Sequence, residues 1–258
     1  MEKAGHETAP SKQATASQTL VRGLDIIEAV SKDGAHDIGA IAERTGMTYS
    51  TAHRLISVLM QRRYLKRVPG KGYRLGSKLL ALGFQAYSQV ELTAVARPFL
   101  ERLAQKTSDT IHLACEEMGA VLYLDKIASR RPVEISSRIG GIKPLLSTGV
   151  GKALLLDGSI ESWAALYDAD AQRLGLTGPR EQWIAMMQDY ARKGHTYDLG
   201  EDEQSIRCVA APIRDASHAI VAAISVSSTT DYMPPSRMHD LAPVVMEAAR
   251  QISAELGD

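Results

Sequence analysis

The chain has 258 residues, with 30 basic against 30 acidic side chains, 45% apolar residues and two cysteines. That length allows two ordinary domains, no apolar run reaches the ~18 residues of a membrane helix, and two distant cysteines do not make a disulfide framework. Neutrality is an average: residues 17–79 hold eleven basic and five acidic residues, so about six positive charges there are balanced by a negative excess in residues 80–258. Residues 1–16 lack an apolar signal core and read as a flexible tail, with a cytoplasmic location expected.

Residues 17–77 are expected to form a winged helix-turn-helix. From Ser17 to Ser31, Leu20, Leu24, Ile27 and Val30 share one helical face, with Arg22 off it, either against a phosphate or in solvent. DIGAIAERTG is a second short helix ending at Gly46, and Thr48 is placed to cap the next. That third segment, MTYSTAHRLISVLMQRRY, assigns Ala52, Leu55, Ile56, Val58 and Leu59 to a buried stripe and leaves Tyr49, Ser50, His53 and Ser57 elsewhere. YLKRV and YRL flank the turn PGKG as a basic hairpin. Many small domains share such elements without touching nucleic acid; clustering of the basic excess at this helix and hairpin points to double-stranded DNA. Thr48, Tyr49, Ser50, Thr51, His53 and Arg54 then form the recognition surface, and Lys66, Arg67, Lys71 and Arg74 meet phosphate.

Residues 78–95 read as a linker helix with a seam of Leu79, Leu82, Ala86 and Val90, packing on its own body or, preferably, on a second subunit. Pro98 marks a fresh helix start, and Phe99, Leu100, Leu103 and Ala104 supply its buried face. Residues 96–258 form the second domain. TIHLACEE and AVLYLDKIA alternate as a hairpin, PVEISSRIG continues the strand character, and VGKALLLDG is a short helix. Helices follow around Trp163 and from Trp183 to Lys193, closed by Gly194; CVAAPIRD and AIVAAISVSS read as a buried hairpin, and PSRMHDLAPVVMEAARQISAELG as a terminal amphipathic helix.

Enzyme signatures are weak, with no P-loop, HExxH, GxSxG or paired CxxC, and neither a metal nor another cofactor is expected. His112 and Cys115 offer two metal-ligand types without a second pair, and Glu201, Asp202 and Glu203 read as a solvated acidic loop.

Residues 17–256 as a whole resemble the IclR family of bacterial transcriptional regulators. The resemblance rests on SQTLVRGLDIIEAV, YSTAHRLISVL, a wing ending in YRLG, STGVGKALL, DLGEDEQSIRCVAAPI and AAISVSS, in that order. It implies a mixed α/β architecture: an N-terminal winged helix-turn-helix, a linker helix and a C-terminal GAF-like α+β effector domain, assembled as a homodimer or homotetramer. It also implies a small-carboxylate site. Backbone amides of Gly149 and Val150 match its anion-holding segment, while Asp198, Cys208, Ser225 and Ser227 match its pocket side chains. Independent physics agrees in part, because amides at a glycine-containing helix start attract anions and Ser225 and Ser227 share a strand face.

Many relatives carry glycine where this chain has Ser205, so the loop from Asp198 to Arg207 is expected to take its own path. Taken as ionised, Asp198 would accept hydroxyls and repel a second carboxylate. The expected function is therefore a repressor released by a hydroxylated organic acid; SSRIGGIKPLLSTGVGKALL looks closest to the sugar-acid branch. Alternatives are an aromatic acid effector, or a GAF-like redox sensor or enzyme using Cys208, which would require an exposed, acidic thiol.

Overall fold

The computed structural model describes residues 18–32, 37–88, 91–175 and 178–258. It divides into two compact units, with the boundary in sequence between Ala86 and Tyr87. The tail at residues 1–16 and the seam position Val90 lie outside the described residues, as does the side chain of Ala86.

In the first unit, α1 (Gln18–Ser31), α2 (Ile38–Thr45) and α3 (Tyr49–Gln61) precede an antiparallel pair, β1 (Leu65–Val68) and β2 (Gly72–Leu75), and then α4 (Ser77–Ser88). Local chemistry sets the boundaries. Asp37 accepts the Ala40 N–H to start α2, Gly46 closes it at φ 64°, and Thr48 accepts the Thr51 N–H to start α3. Ile26, Val30, Ile41, Ala42, Ala52, Leu55, Ile56 and Leu65 form the core. Burying each large side chain among them contributes roughly 1.5–3 kcal/mol.

Two expected stripes are displaced. In α1 the buried residues are Ile26, Ala29 and Val30, while Leu20 and Leu24 are 63% and 50% exposed. The helix carries more apolar residues than its packing against α2, α3 and β2 buries. In α3, Val58 is exposed because it lies about 100° round the helix from Leu59 and beyond the reach of the core.

The second unit runs α5 (Glu91–Thr107), β3 (Thr110–Glu117), β4 (Ala120–Ile127), β5 (Ile142–Lys143), α6 (Gly149–Leu154), α7 (Ile160–Asp170), α8 (Arg180–Lys193), β6 (Thr196–Asp198), β7 (Ile206–Arg214), β8 (Ile220–Thr229) and α9 (Pro235–Glu255). Its six-stranded sheet has the order β5-β4-β3-β8-β7-β6, every neighbouring pair antiparallel. Strand alternation divides the side chains between two layers. Ile111, Leu113, Val209, Ala211, Ile224 and Val226 face a core shared with α5 and α9, whereas Ala114, Tyr123, Ala210 and Ala223 pack with Val150 and Ala153 of α6. Met118 and Gly119 turn β3 into β4 with φ of 52° and 79°, the left-handed pair a tight hairpin requires.

Pro98 lies inside α5 and does not begin it. Segment 132–140 contains no strand; it is an irregular strap, held where Lys126 Nζ donates to Ile135 O at 2.7 Å and Ser137 O at 2.6 Å. A side-chain tether thus replaces the ladder that the apolar pattern suggested.

Candidate functional site

On the α6 face of the sheet, a small, partly open cavity of about 30 Å³ gathers residues from six separate stretches of chain. All six predicted effector positions line it: Gly149, Val150, Asp198, Cys208, Ser225 and Ser227. Register explains part of this convergence. Asp198 pairs with Cys208 across β6 and β7, and Cys208 pairs with Ser227 across β7 and β8, so the three side chains stand in a row on one face. Thr148 caps α6 by accepting the Gly151 N–H at 3.1 Å, and Thr196 donates to Gly149 O at 2.7 Å, fixing the floor. Gly149 is required there, since a Cβ at that position would overlap the Cys208 sulfur.

None of the remaining lining residues was placed in this site from sequence. His112, Tyr123, Ile135, Ser137, Lys143, Asp202 and Glu203 also line the cavity. His112 Nδ1 lies 3.3 Å from Ser225 Oγ and 3.4 Å from Ser227 Oγ, and its Nε2 is hydrogen-bonded to Ser137 Oγ at 2.6 Å. The imidazole packs on Tyr123 with ring centroids 4.8 Å apart. Cys115, three residues along β3, faces the other side of the strand from His112, which removes that pair as joint metal ligands. Among the described residues no group of three or more His, Cys, Asp or Glu is placed to hold a metal ion.

The acidic run is not a solvated loop. Lys143 Nζ donates to Asp202 at 2.8 Å and Glu203 at 2.9 Å, and Ser136 donates to Glu203 at 3.1 Å, joining the strap to the 199–205 loop. Glu201 accepts from Lys152 Nζ at 2.6 Å, and the Lys152 side chain is wholly buried. Asp198 Oδ1 accepts the Gly200 and Glu201 N–H groups, both at 2.9 Å. The left-handed turn of this loop falls on Gly200, at φ 106°, and Ser205 adopts no such conformation. Serine at 205 is therefore accommodated without backbone strain.

Burial sets the protonation of the cavity. It pushes the Asp198 carboxyl up to about 7, with Glu201 reinforcing the shift and Lys152 opposing it. The fully ionised aspartate expected from sequence is thus replaced by one that shares its proton near neutrality. Burial opposes ionisation of Glu201 too, but the Lys152 ammonium prevails and lowers that carboxyl. His112 is driven down to about 3 by burial, aided by Lys126 and Lys143, and stays neutral. The Cys208 thiol is pushed far above its ordinary value by burial and by Asp198, so it lacks the thiolate a redox sensor uses.

In the first unit, Thr48, Tyr49, Ser50, His53 and Arg54 are exposed around the start of α3, with Thr51 half-buried beside them. Thr48 Oγ1 is hydrogen-bonded to Thr51 Oγ1 at 2.9 Å, and Tyr49 is 61% exposed and stacked on His53. In the hairpin, Lys66 pairs with Arg74 and Arg67 with Tyr73, so two cations share one ribbon face. Like charges directly opposite are unfavourable unless an anion lies between them. Lys71 is exposed at the turn, and Arg22 is exposed on α1.

A family model described as "Bacterial transcriptional regulator IclR C-terminal" matches residues 84–254, and one described as "IclR helix-turn-helix domain" matches residues 19–69. The HTH-type transcriptional regulator RhmR of Escherichia coli K12 is 30% identical over 242 residues, covering 92% of this chain and 93% of that protein. The HTH-type transcriptional regulator KdgR of the same organism is 27% identical over 259 residues, with 95% of each chain covered. A solved structure of a Rhodococcus sp. RHA1 protein superposes with a TM-score of 0.83 at 27% identity, covering 93% of this chain and 98% of that one.

Proposed function

Because the chain belongs to the IclR family of bacterial transcriptional regulators, we propose that it is a cytoplasmic repressor whose α3 and wing hold operator DNA and whose small cavity takes an organic acid that releases it. The observation that carries this reading is the convergence of Gly149, Val150, Asp198, Cys208, Ser225 and Ser227 on one cavity. Backbone amides at Gly149 and Val150 suit a carboxylate, while Ser225, Ser227 and Asp198 suit hydroxyls. A hydroxylated acid such as a sugar acid meets both ends. In the first unit, exposed hydroxyls, His53 and Arg54 read base edges, and Lys66, Arg67, Lys71, Arg74 and Arg22 neutralise phosphate.

Exposed Leu80, Leu82 and Phe84 of α4 favour pairing of two copies, which would present two winged helices to two half-sites of an operator. An effector changes operator affinity only insofar as it binds one arrangement of those copies more tightly than another. Thermal-shift measurements against sugar acids, keto acids, aromatic acids and neutral sugars, repeated on Asp198→Ala, test the reading, because a ligand of the folded state raises its stability. A hydroxylated acid should stabilise the wild type, leave the variant unmoved and release operator DNA. Stabilisation by aromatic acids alone would replace the effector class.

A further inference from the structure

The family resemblance brought six cavity positions to notice, but not the residue that ties the cavity wall to its roof. His112 stands on β3 directly opposite Ser225 of β8, and its ring reaches both β8 hydroxyls through Nδ1 and the strap residue Ser137 through Nε2. Its contacts are unequal. The Ser137 bond is short at 2.6 Å, whereas the 3.3 and 3.4 Å contacts to Ser225 and Ser227 lie at the outer limit of hydrogen bonding. Nδ1 is therefore the more loosely held edge of a buried ring, and both serines it reaches line the cavity.

Resting on the effector reading above, we infer that His112 is a specificity-determining residue, accepting or donating one hydrogen bond at Nδ1 to a hydroxyl or carbonyl oxygen of the bound acid. A neutral imidazole has one donor and one acceptor nitrogen, which complements a hydroxyl and gives a carboxylate no charge to pair with. The ligand is thereby oriented: its carboxylate lies at Gly149 and Val150, and its oxygenated carbon lies at His112. Tyr123 packs on the ring and Ser137 holds Nε2, leaving Nδ1 on the two serines of β8. Ser137 also belongs to the strap tethered by Lys126 and joined through Ser136 to Glu203, so a ligand oxygen at His112 bears on the roof as well as on the wall.

The test uses the full-length protein and matched pairs of acids that differ only in hydroxylation, glycerate with propionate and gluconate with hexanoate, titrated calorimetrically. Wild type should prefer the hydroxylated member of at least one pair by tenfold or more. His112→Phe, which keeps ring packing on Tyr123 but removes both nitrogens, should bring that ratio within about threefold of unity, chiefly by losing affinity for the hydroxylated acid. His112→Gln, with a donor and an acceptor of its own, should keep part of the preference. A His112→Phe protein that folds and retains the wild-type ratio overturns the assignment, as does a wild type that binds both members equally. If His112→Phe does not fold, Ser137→Ala decides: the ratio should fall at least threefold, and an unchanged ratio overturns the inference. Failure of every acid to bind wild type would instead sink the effector reading on which this one rests.

Discussion

The two units place their polar groups in opposite ways. In the winged unit Tyr49, His53, Arg54, Lys66, Arg67 and Lys71 stand exposed around a small apolar core. In the sheet unit His112, Lys152, Asp198, Ser225 and Ser227 are buried, each held by a named partner. Exposed charges act additively through a screened field, and losing one costs little stability. Buried groups act through contact, so a single atom out of place disturbs its neighbours.

The largest expected effect tests that contrast on the buried side. Gly149→Ala forces a methyl group into the Cys208 sulfur and should destabilise the sheet unit by about 2–3 kcal/mol in denaturant unfolding. Cys208→Ala in the same chain should restore roughly half of that loss, because it removes the opposing atom; simple additivity of the two changes would refute the steric account. Next in size, Arg67→Ala with Lys71→Ala should leave stability within about 0.5 kcal/mol. It should weaken binding to all duplex sequences by roughly tenfold at low salt and flatten the log–log salt slope by about 2. An unchanged slope would remove the wing from the phosphate contacts.

A further effect concerns pH. The Asp198 carboxyl sits at about 7 in the folded chain, above the ~3.9 of an unfolded one. Between those limits the folded state holds more protons than the unfolded state, so stability falls as pH rises. Asp198→Asn retains an oxygen for the Gly200 and Glu201 N–H groups and cannot ionise. Its urea midpoint should therefore gain on wild type from pH 4 to pH 8; parallel pH profiles would contradict the burial argument. The smallest effect is expected at Ser205→Gly, less than about 1 kcal/mol, because the left-handed residue of that loop is Gly200. A gain larger than that in melting experiments would mean Ser205 is strained after all.

Legibility followed the same division. The helix-turn-helix was readable because Gly46 and Thr48 punctuate it locally and the core residues of α3 recur at helical spacing. The floor of the cavity was readable through strand alternation at Ser225 and Ser227 and through the family motif around Gly149. The rest of its lining was not. His112 and Tyr123 lie in strands whose apolar alternation looks like plain core, and Ser137 lies in a strap that patterning assigned to a strand. Lys143 gains meaning only from Asp202 and Glu203, some sixty residues later, and Lys152 only from Glu201. Leu20 and Leu24 show the converse: periodicity marks a face as apolar without saying what covers it. A side chain's own neighbours in sequence specify its element, but its partner across the fold specifies its role.

At about 30 Å³ the cavity has room for a few water molecules but not for a sugar acid. For an acid of that size to enter, the 199–205 loop would have to unclasp from the strap at 132–140, which it meets through Ser136 and Glu203, and from β5, which it meets through Lys143. In time-resolved mixing, the binding rate of the acid should therefore rise with concentration only until it meets the rate at which the clasp opens, and then level off. DNA, meeting an exposed face, encounters no such ceiling. On the proposed effector reading, admission of the acid would be limited by the opening of these hydrogen bonds at the rim of the sheet, whereas DNA binding would not.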